Sequence, residues 1–124
     1  MRRVSSRRSA ATDAGWYQSP LALRNASAAM LELFSPRQRV LTWRRIWIAL
    51  AEAQRELGLP ISASQIRSLK RAQPRIDFAK AAGYEKKLRH DVMAHLHTFA
   101  DAAPVARPIL HLGATSMDIV DNAD

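Results

Sequence analysis

Apolar side chains recur along most of this chain at three- and four-residue steps, the spacing of one helical face, and nowhere alternate as a half-buried strand requires. Ser35 and Pro36 make an N-cap and first-turn pair, and Gly58 then Pro60 stop the segment, so one long helix is predicted between them. Val40, Trp43, Trp47, Leu50, Ala51 and Leu57 mark its core face, whereas Arg39, Arg44, Arg45, Glu52, Arg55 and Glu56 fall mostly elsewhere around the axis. Trp43 and Trp47, four apart, read as packing. Ser62 and Gln65 form a capping box for the next helix, with Ile61 placed to staple onto Ile66 and an end before Pro74. Asp77 caps a helix through Phe78, Ala81, Ala82, Glu85 and Leu88, and Asp91 caps or starts another carrying Met93, Leu96 and Phe99. Pro104 and Pro108 bound a loop, after which the small polar run 113–116 opens a helix with Met117, Ile119 and Val120. One more short helix within residues 20–34 gives an all-α fold of five or six helices without internal repeats.

Composition narrows the class. At 124 residues, 48% hydrophobic and 24% charged, the chain has one domain's worth of sequence and enough apolar side chain for a core. Its longest apolar stretch, Ile46 to Ala51, is far short of the roughly 20 residues that span a bilayer, so no membrane partner is expected. The absence of cysteine excludes disulfides and thiolate metal sites and fits a reducing compartment. A formal charge of +8 points toward phosphate-bearing partners. Part of that charge sits at the start, where Arg2, Arg3, Arg7 and Arg8 stand against Asp13 alone. Residues 1–15 have almost no large apolar side chain and are expected to form a disordered basic tail ahead of one helical domain over 16–124. Their Arg- and Ser-rich composition also fits an organelle transit peptide, but without an amphipathic apolar face.

Candidate chemistry is concentrated in two places. Arg89, His90 and Asp91 put an imidazole between a guanidinium and a carboxylate at a helix start, where the backbone favours anions and neutral imidazole. His95 and His97 follow, but the spacing matches no HExxH metal motif, and no metal is expected. The second place is the stretch from Gly113 through Ala114 to Thr115 and Ser116, whose hydroxyls at a helix start can hydrogen-bond a carboxylate or phosphate. Arg24 is a third, isolated candidate for a phosphate clamp. Phosphate-cradling GxxxxGK[ST] and GxGxxG loops are both absent from the sequence.

The strings YQSPLALRNAS, TWRRIWIALAEAQRELGL, IDFAKAAGYEKKLRHDVMAHLHTFAD and ARPILHLGATSMDIVDNAD resemble, in order and almost without gaps, the N-terminal domain of the adenylosuccinate lyase family. That family belongs to the fumarase and aspartase superfamily. The resemblance implies all-α subunits, a cytoplasmic homotetramer with active sites assembled from three subunits, and no metal or organic cofactor. It implies as substrates adenylosuccinate and the related succinylated carboxamide nucleotide of purine synthesis, from which fumarate is eliminated. By matching positions, it assigns Arg24 to the nucleotide phosphate, with Asn25 where many relatives have tyrosine. It assigns Arg89, His90 and Asp91 to the substrate-binding stretch, His90 with an acid or orienting role, and Thr115 and Ser116 to a succinyl carboxylate. Ala123 stands where relatives often have threonine.

The family's second catalytic histidine and its serine loop of the GSSxMPxKxNP type do not occur in the sequence. The last helix breaks off at Asp124 without a capping residue, which suggests a truncated chain, inactive alone and exposing apolar surface. Two other functions are expected to compete with this one: a small basic helical protein that binds nucleic acid, and a non-catalytic interaction domain. The scattering of basic among acidic residues, with no nucleic-acid-binding motif, argues against the first.

Overall fold

The computed structural model describes Gly15 and residues 17–124; the basic tail expected over 1–15 therefore lies, Gly15 apart, outside the described residues. The chain divides into two compact units, Met1–Phe34 and Ser35–Asp124, and among the described residues every regular element is helical.

In the first unit a single π-helical turn, Leu21–Asn25, is closed by the Ala26 N–H donating to the Leu21 carbonyl at 2.8 Å. Ser27 then caps α1 (Ala28–Leu33), its hydroxyl accepting the Met30 N–H at 3.2 Å. Neither element contains a buried residue.

The second unit begins where the Ser35 hydroxyl accepts the Gln38 N–H at 3.2 Å and Pro36 supplies a first-turn residue whose missing N–H costs nothing. The resulting α2 (Pro36–Glu56) ends before Gly58, whose φ of 91° no other residue adopts cheaply. In α3 (Ala63–Ala72) the capping box is complete, Gln65 N–H to Ser62 Oγ at 3.1 Å and Ser62 N–H to Gln65 Oε1 at 2.9 Å. Ile61 and Ile66, the expected staple, both join the core. Asp77 starts α4 (Phe78–Leu88) by accepting the Lys80 N–H at 2.9 Å. Of the apolar stripe expected there, Ala81 alone is buried.

The centre of this unit is α5 (Asp91–Ala102), which packs on α3, α4 and α6 (Ser116–Ala123) and buries Val92, Ala94, Leu96, Thr98, Phe99 and Ala100. Against it α2 places Trp43 and Trp47, with Trp47 6.2 Å from Phe99 between ring centroids, so the two tryptophans are packing residues as expected.

Three expectations are corrected. Arg44 is fully buried: its Nη1 donates to the carbonyls of Ala72, Gln73 and Arg75 at 2.8, 3.1 and 2.9 Å, closing the C-terminal end of α3. The Ala72 and Gln73 carbonyls, at the helix end, have no partner within the helix and are satisfied by Nη1, whereas Nε and Nη2 are buried without a partner among the described residues. Burial lowers the Arg44 pKa to about 10, which still leaves it charged. Leu57, placed on the core face by spacing, is 81% exposed because it lies past the last turn, at the C-cap. The loop bounded by Pro104 and Pro108 is a 3₁₀-helix, Pro104–Ile109, that buries Ala106 and Ile109; prolines set φ near the helical value, and shorter-range bonding tolerates their missing N–H groups.

Candidate functional site

His90 has moved from a candidate beside a helix start to the N-cap itself. Its Nδ1 accepts the Met93 N–H at 3.3 Å, which in the neutral ring leaves the proton on Nε2. Nε2 lies 3.2 Å from Ser116 Oγ, at the first position of α6. The imidazole therefore donates to the serine oxygen, and the serine hydroxyl proton is left to donate outward. The two motifs singled out in the sequence, 26 positions apart, thus converge on one spot where two helix starts meet.

The flanks are held with some strain. Arg89 terminates α4 in the left-handed region at φ 51°, its N–H donating to the Glu85 carbonyl at 2.7 Å, and this reversal delivers His90 into α5. Among the described residues His111, at φ 61°, is the other non-glycine residue there, and each such residue costs about 1–2 kcal/mol. The Arg89 guanidinium is exposed and makes no hydrogen bond or ion pair among the described residues. Asp91 Oδ1 accepts the Val92 N–H at 2.8 Å and lies 3.9 Å from His90 Nδ1.

Thr115 caps α6, but its donors are occupied. Asp118 Oδ2 accepts the Thr115 N–H at 2.8 Å and its hydroxyl at 3.2 Å. These bonds, the backbone one foremost, hold the Asp118 carboxyl below the usual aspartate range. Of the two hydroxyls expected to receive a carboxylate, Ser116 is the one with a free donor, while Thr115 already has a carboxylate of the protein's own.

The loop before α6 is tied to the core from behind. Trp47 Nε1–H donates to His111 Nδ1 at 3.0 Å, and Gln54 Nε2 donates to the Leu112 carbonyl at 2.7 Å. Burial above all lowers the His111 pKa; Asp118 acts in the opposite sense and His90 in the same sense. His111 was not singled out by sequence reasoning, although it lies inside the HLGATS string four residues before Thr115. Its strained backbone and its partner in α2 have no signature in the linear sequence.

The remaining candidates belong to other elements or lie further along α5. Arg24 and Asn25 belong to the π turn of the first unit, both exposed. His95 is half-buried between Trp43 and Phe78, at centroid distances of 5.7 and 6.0 Å, and burial lowers its pKa. His97 stacks on Tyr84 at 5.3 Å. The histidines thus diverge, and among the described residues no group of three or more histidine, aspartate or glutamate side chains is placed to hold a metal ion. No helix among them is long and apolar enough to cross a membrane. The helix start at Ser116, beside His90, favours an anion, and the Asp118 carboxylate already occupies the Thr115 donors there.

No family model matches this chain. Curated relatives do. It is 51% identical over 108 residues to the adenylosuccinate lyase of Schistosoma mansoni, 50% over 116 residues to that of Schizosaccharomyces pombe, and 46% over 111 residues to that of Saccharomyces cerevisiae. These alignments take in 87%, 90% and 87% of this chain but 22%, 24% and 23% of the respective relatives, so the chain spans less than a quarter of their length. With its all-helical fold and with identity sustained across nearly its whole length, the chain is a homologue of the adenylosuccinate lyases, matched to a minor portion of each.

Proposed function

We propose that this chain supplies the portion of an adenylosuccinate lyase site that binds and orients substrate. The observation that carries this is the 46–51% identity to adenylosuccinate lyases over 87–90% of the chain, supported by the 3.2 Å approach of His90 to Ser116. In this reading the Ser116 hydroxyl, polarised by the His90 Nε2–H, holds a succinyl carboxylate. Arg89 supplies positive charge, and His90 orients the side of the substrate from which nitrogen departs. Thr115 joins when Asp118 gives way. Arg24 holds the nucleotide phosphate, with Asn25 offering a hydrogen bond where a tyrosine ring stands in many relatives.

The reaction is a β-elimination. A base removes a proton from the carbon beside a carboxylate, the carbanion is stabilised by donors around that carboxylate, and an acid protonates the departing nitrogen to release fumarate and AMP. The succinylated carboxamide nucleotide is cleaved in the same way. His90 is exposed, and such an open site lacks the water exclusion that carbanion chemistry needs. The serine-loop motif expected to supply the base is absent from these residues. The 124 residues are therefore inactive alone, and catalysis belongs to a cytoplasmic homotetramer whose sites draw on several subunits and use no cofactor.

The test is a titration of the ¹⁵N-labelled chain with adenylosuccinate, paired with a fumarate-release assay. Shifts centred on His90, Thr115 and Ser116 without turnover are expected. An unchanged spectrum overturns the binding assignment, and turnover above a no-protein control overturns the inactivity.

A further inference from the structure

Trp47 is almost wholly buried, at 1% exposure, yet its one polar atom is not spent within the core. The indole N–H donates across 64 positions of sequence to His111 Nδ1 at 3.0 Å. An indole nitrogen can donate and cannot accept, so it tolerates only an unprotonated Nδ1. In a neutral imidazole the single proton is then on Nε2, on the other side of the ring, and that nitrogen makes no hydrogen bond among the described residues. Burial, the largest cause, lowers its pKa and so favours the neutral ring. Edge contact between the two rings, 6.1 Å between centroids at 76°, and the neighbouring clamp from Gln54 to the Leu112 carbonyl fix the ring's position as well.

We propose that Trp47 is a positioning residue: from the helical core it locks His111 in the Nε2–H tautomer, so that the loop before α6 presents a directed N–H donor to a carboxylate bound at the Ser116 end of α6. The anion is the same one assigned above, so this inference rests on the proposed function. His90 is fixed by the same device, its Nδ1 held by the Met93 N–H, but its Nε2–H is spent on Ser116 Oγ, which leaves His111 as the imidazole with an unused N–H. A tryptophan serving as packing alone would be replaceable by phenylalanine without consequence for either nitrogen of His111.

The test is the side-chain ¹⁵N spectrum of His111 in the full 124-residue chain, free of ligand, with the Trp47→Phe variant and succinate as the probe anion. Wild type is expected to show protonated Nε2, unprotonated Nδ1 and a scalar coupling from Trp47 Nε1 to His111 Nδ1 across the hydrogen bond. In Trp47→Phe the Nδ1–H tautomer becomes populated, and succinate binds about five-fold more weakly, the loss of one oriented hydrogen bond. A wild-type ring protonated on Nδ1, or a missing coupling, overturns the proposal even where the variant does not fold. So does a folded variant with the wild-type tautomer or unchanged succinate affinity. The tautomer readout needs no ligand. Failure of adenylosuccinate to bind would therefore overturn the functional assignment and the ligand half of this one, and would leave the tautomer result separately legible.

Discussion

The Arg44 guanidinium lies over the Phe99 ring, 4.5 Å from its centroid, while its Nη1 holds three carbonyls at the end of α3. One side chain thus joins α2, α3 and α5. Replacing it with leucine leaves those carbonyls without their buried donor and is expected to cost about 3–5 kcal/mol. Lysine, a point charge without the planar fork, is expected to recover part of that loss. Urea unfolding of wild type, Arg44→Leu and Arg44→Lys checks the order; equal stability of wild type and the leucine variant would show that the bonds are not maintained in solution.

His90 has two separable jobs, capping α5 and meeting Ser116. His90→Asn retains a cap and is expected to stay within about 0.5 kcal/mol of wild type, whereas His90→Ala loses about 1 kcal/mol. Both variants are expected to weaken adenylosuccinate binding, because neither places a donor at Ser116 Oγ. Thermal unfolding followed by circular dichroism, together with ligand titration, separates the two effects. Intact binding by the asparagine variant would confine His90 to capping.

Asp118 competes with any incoming anion for the Thr115 donors. Asp118→Asn is expected to raise succinate affinity about two- to five-fold at low salt, with the gain fading as salt is added, since a charge at a helix start is screened. Isothermal titration at two ionic strengths is the check; a salt-independent or absent gain would remove Asp118 from the competition.

Stability should fall on mild acidification. His95 and His111 both have folded-state pKa values lowered from 6.5, burial being the main cause in each. Below 6.5 the unfolded chain binds protons that the folded chain refuses, so the contribution is complete above that value and is lost as pH falls toward the folded-state values. Urea midpoints at about pH 7.5 and pH 5.5 should differ, and His95→Leu and His111→Gln should each narrow the gap. Asp118, lowered from 3.8, follows the same sign in a separate and more acidic window.

The elements that were legible in the sequence are those fixed by short-range chemistry. Ser35 with Pro36, Ser62 with Gln65, and Asp77 each satisfy backbone groups within three residues, so the starts of α2, α3 and α4 are written locally. Spacing also placed Trp43, Trp47, Ile66 and Phe99 in the core, because a helix turns by the same angle whatever surrounds it. Arg44 was set apart from that face with the other charged positions, because its partners, 28–31 positions away, could not be seen.

The site divides in the same way. Its residue types and the two helix starts can be read from Arg89, His90, Asp91, Thr115 and Ser116, since capping and anion affinity are local properties. Asp118, three residues after Thr115, takes its donors as a local cap, whereas two things were decided by tertiary packing alone: that His90 reaches Ser116, and that Trp47 sets the proton of His111. Each depends on a hydrogen bond a few ångströms long. Helix pattern fixes which face a residue occupies, but only the docking of one helix against another brings two such groups within that distance and in the right orientation.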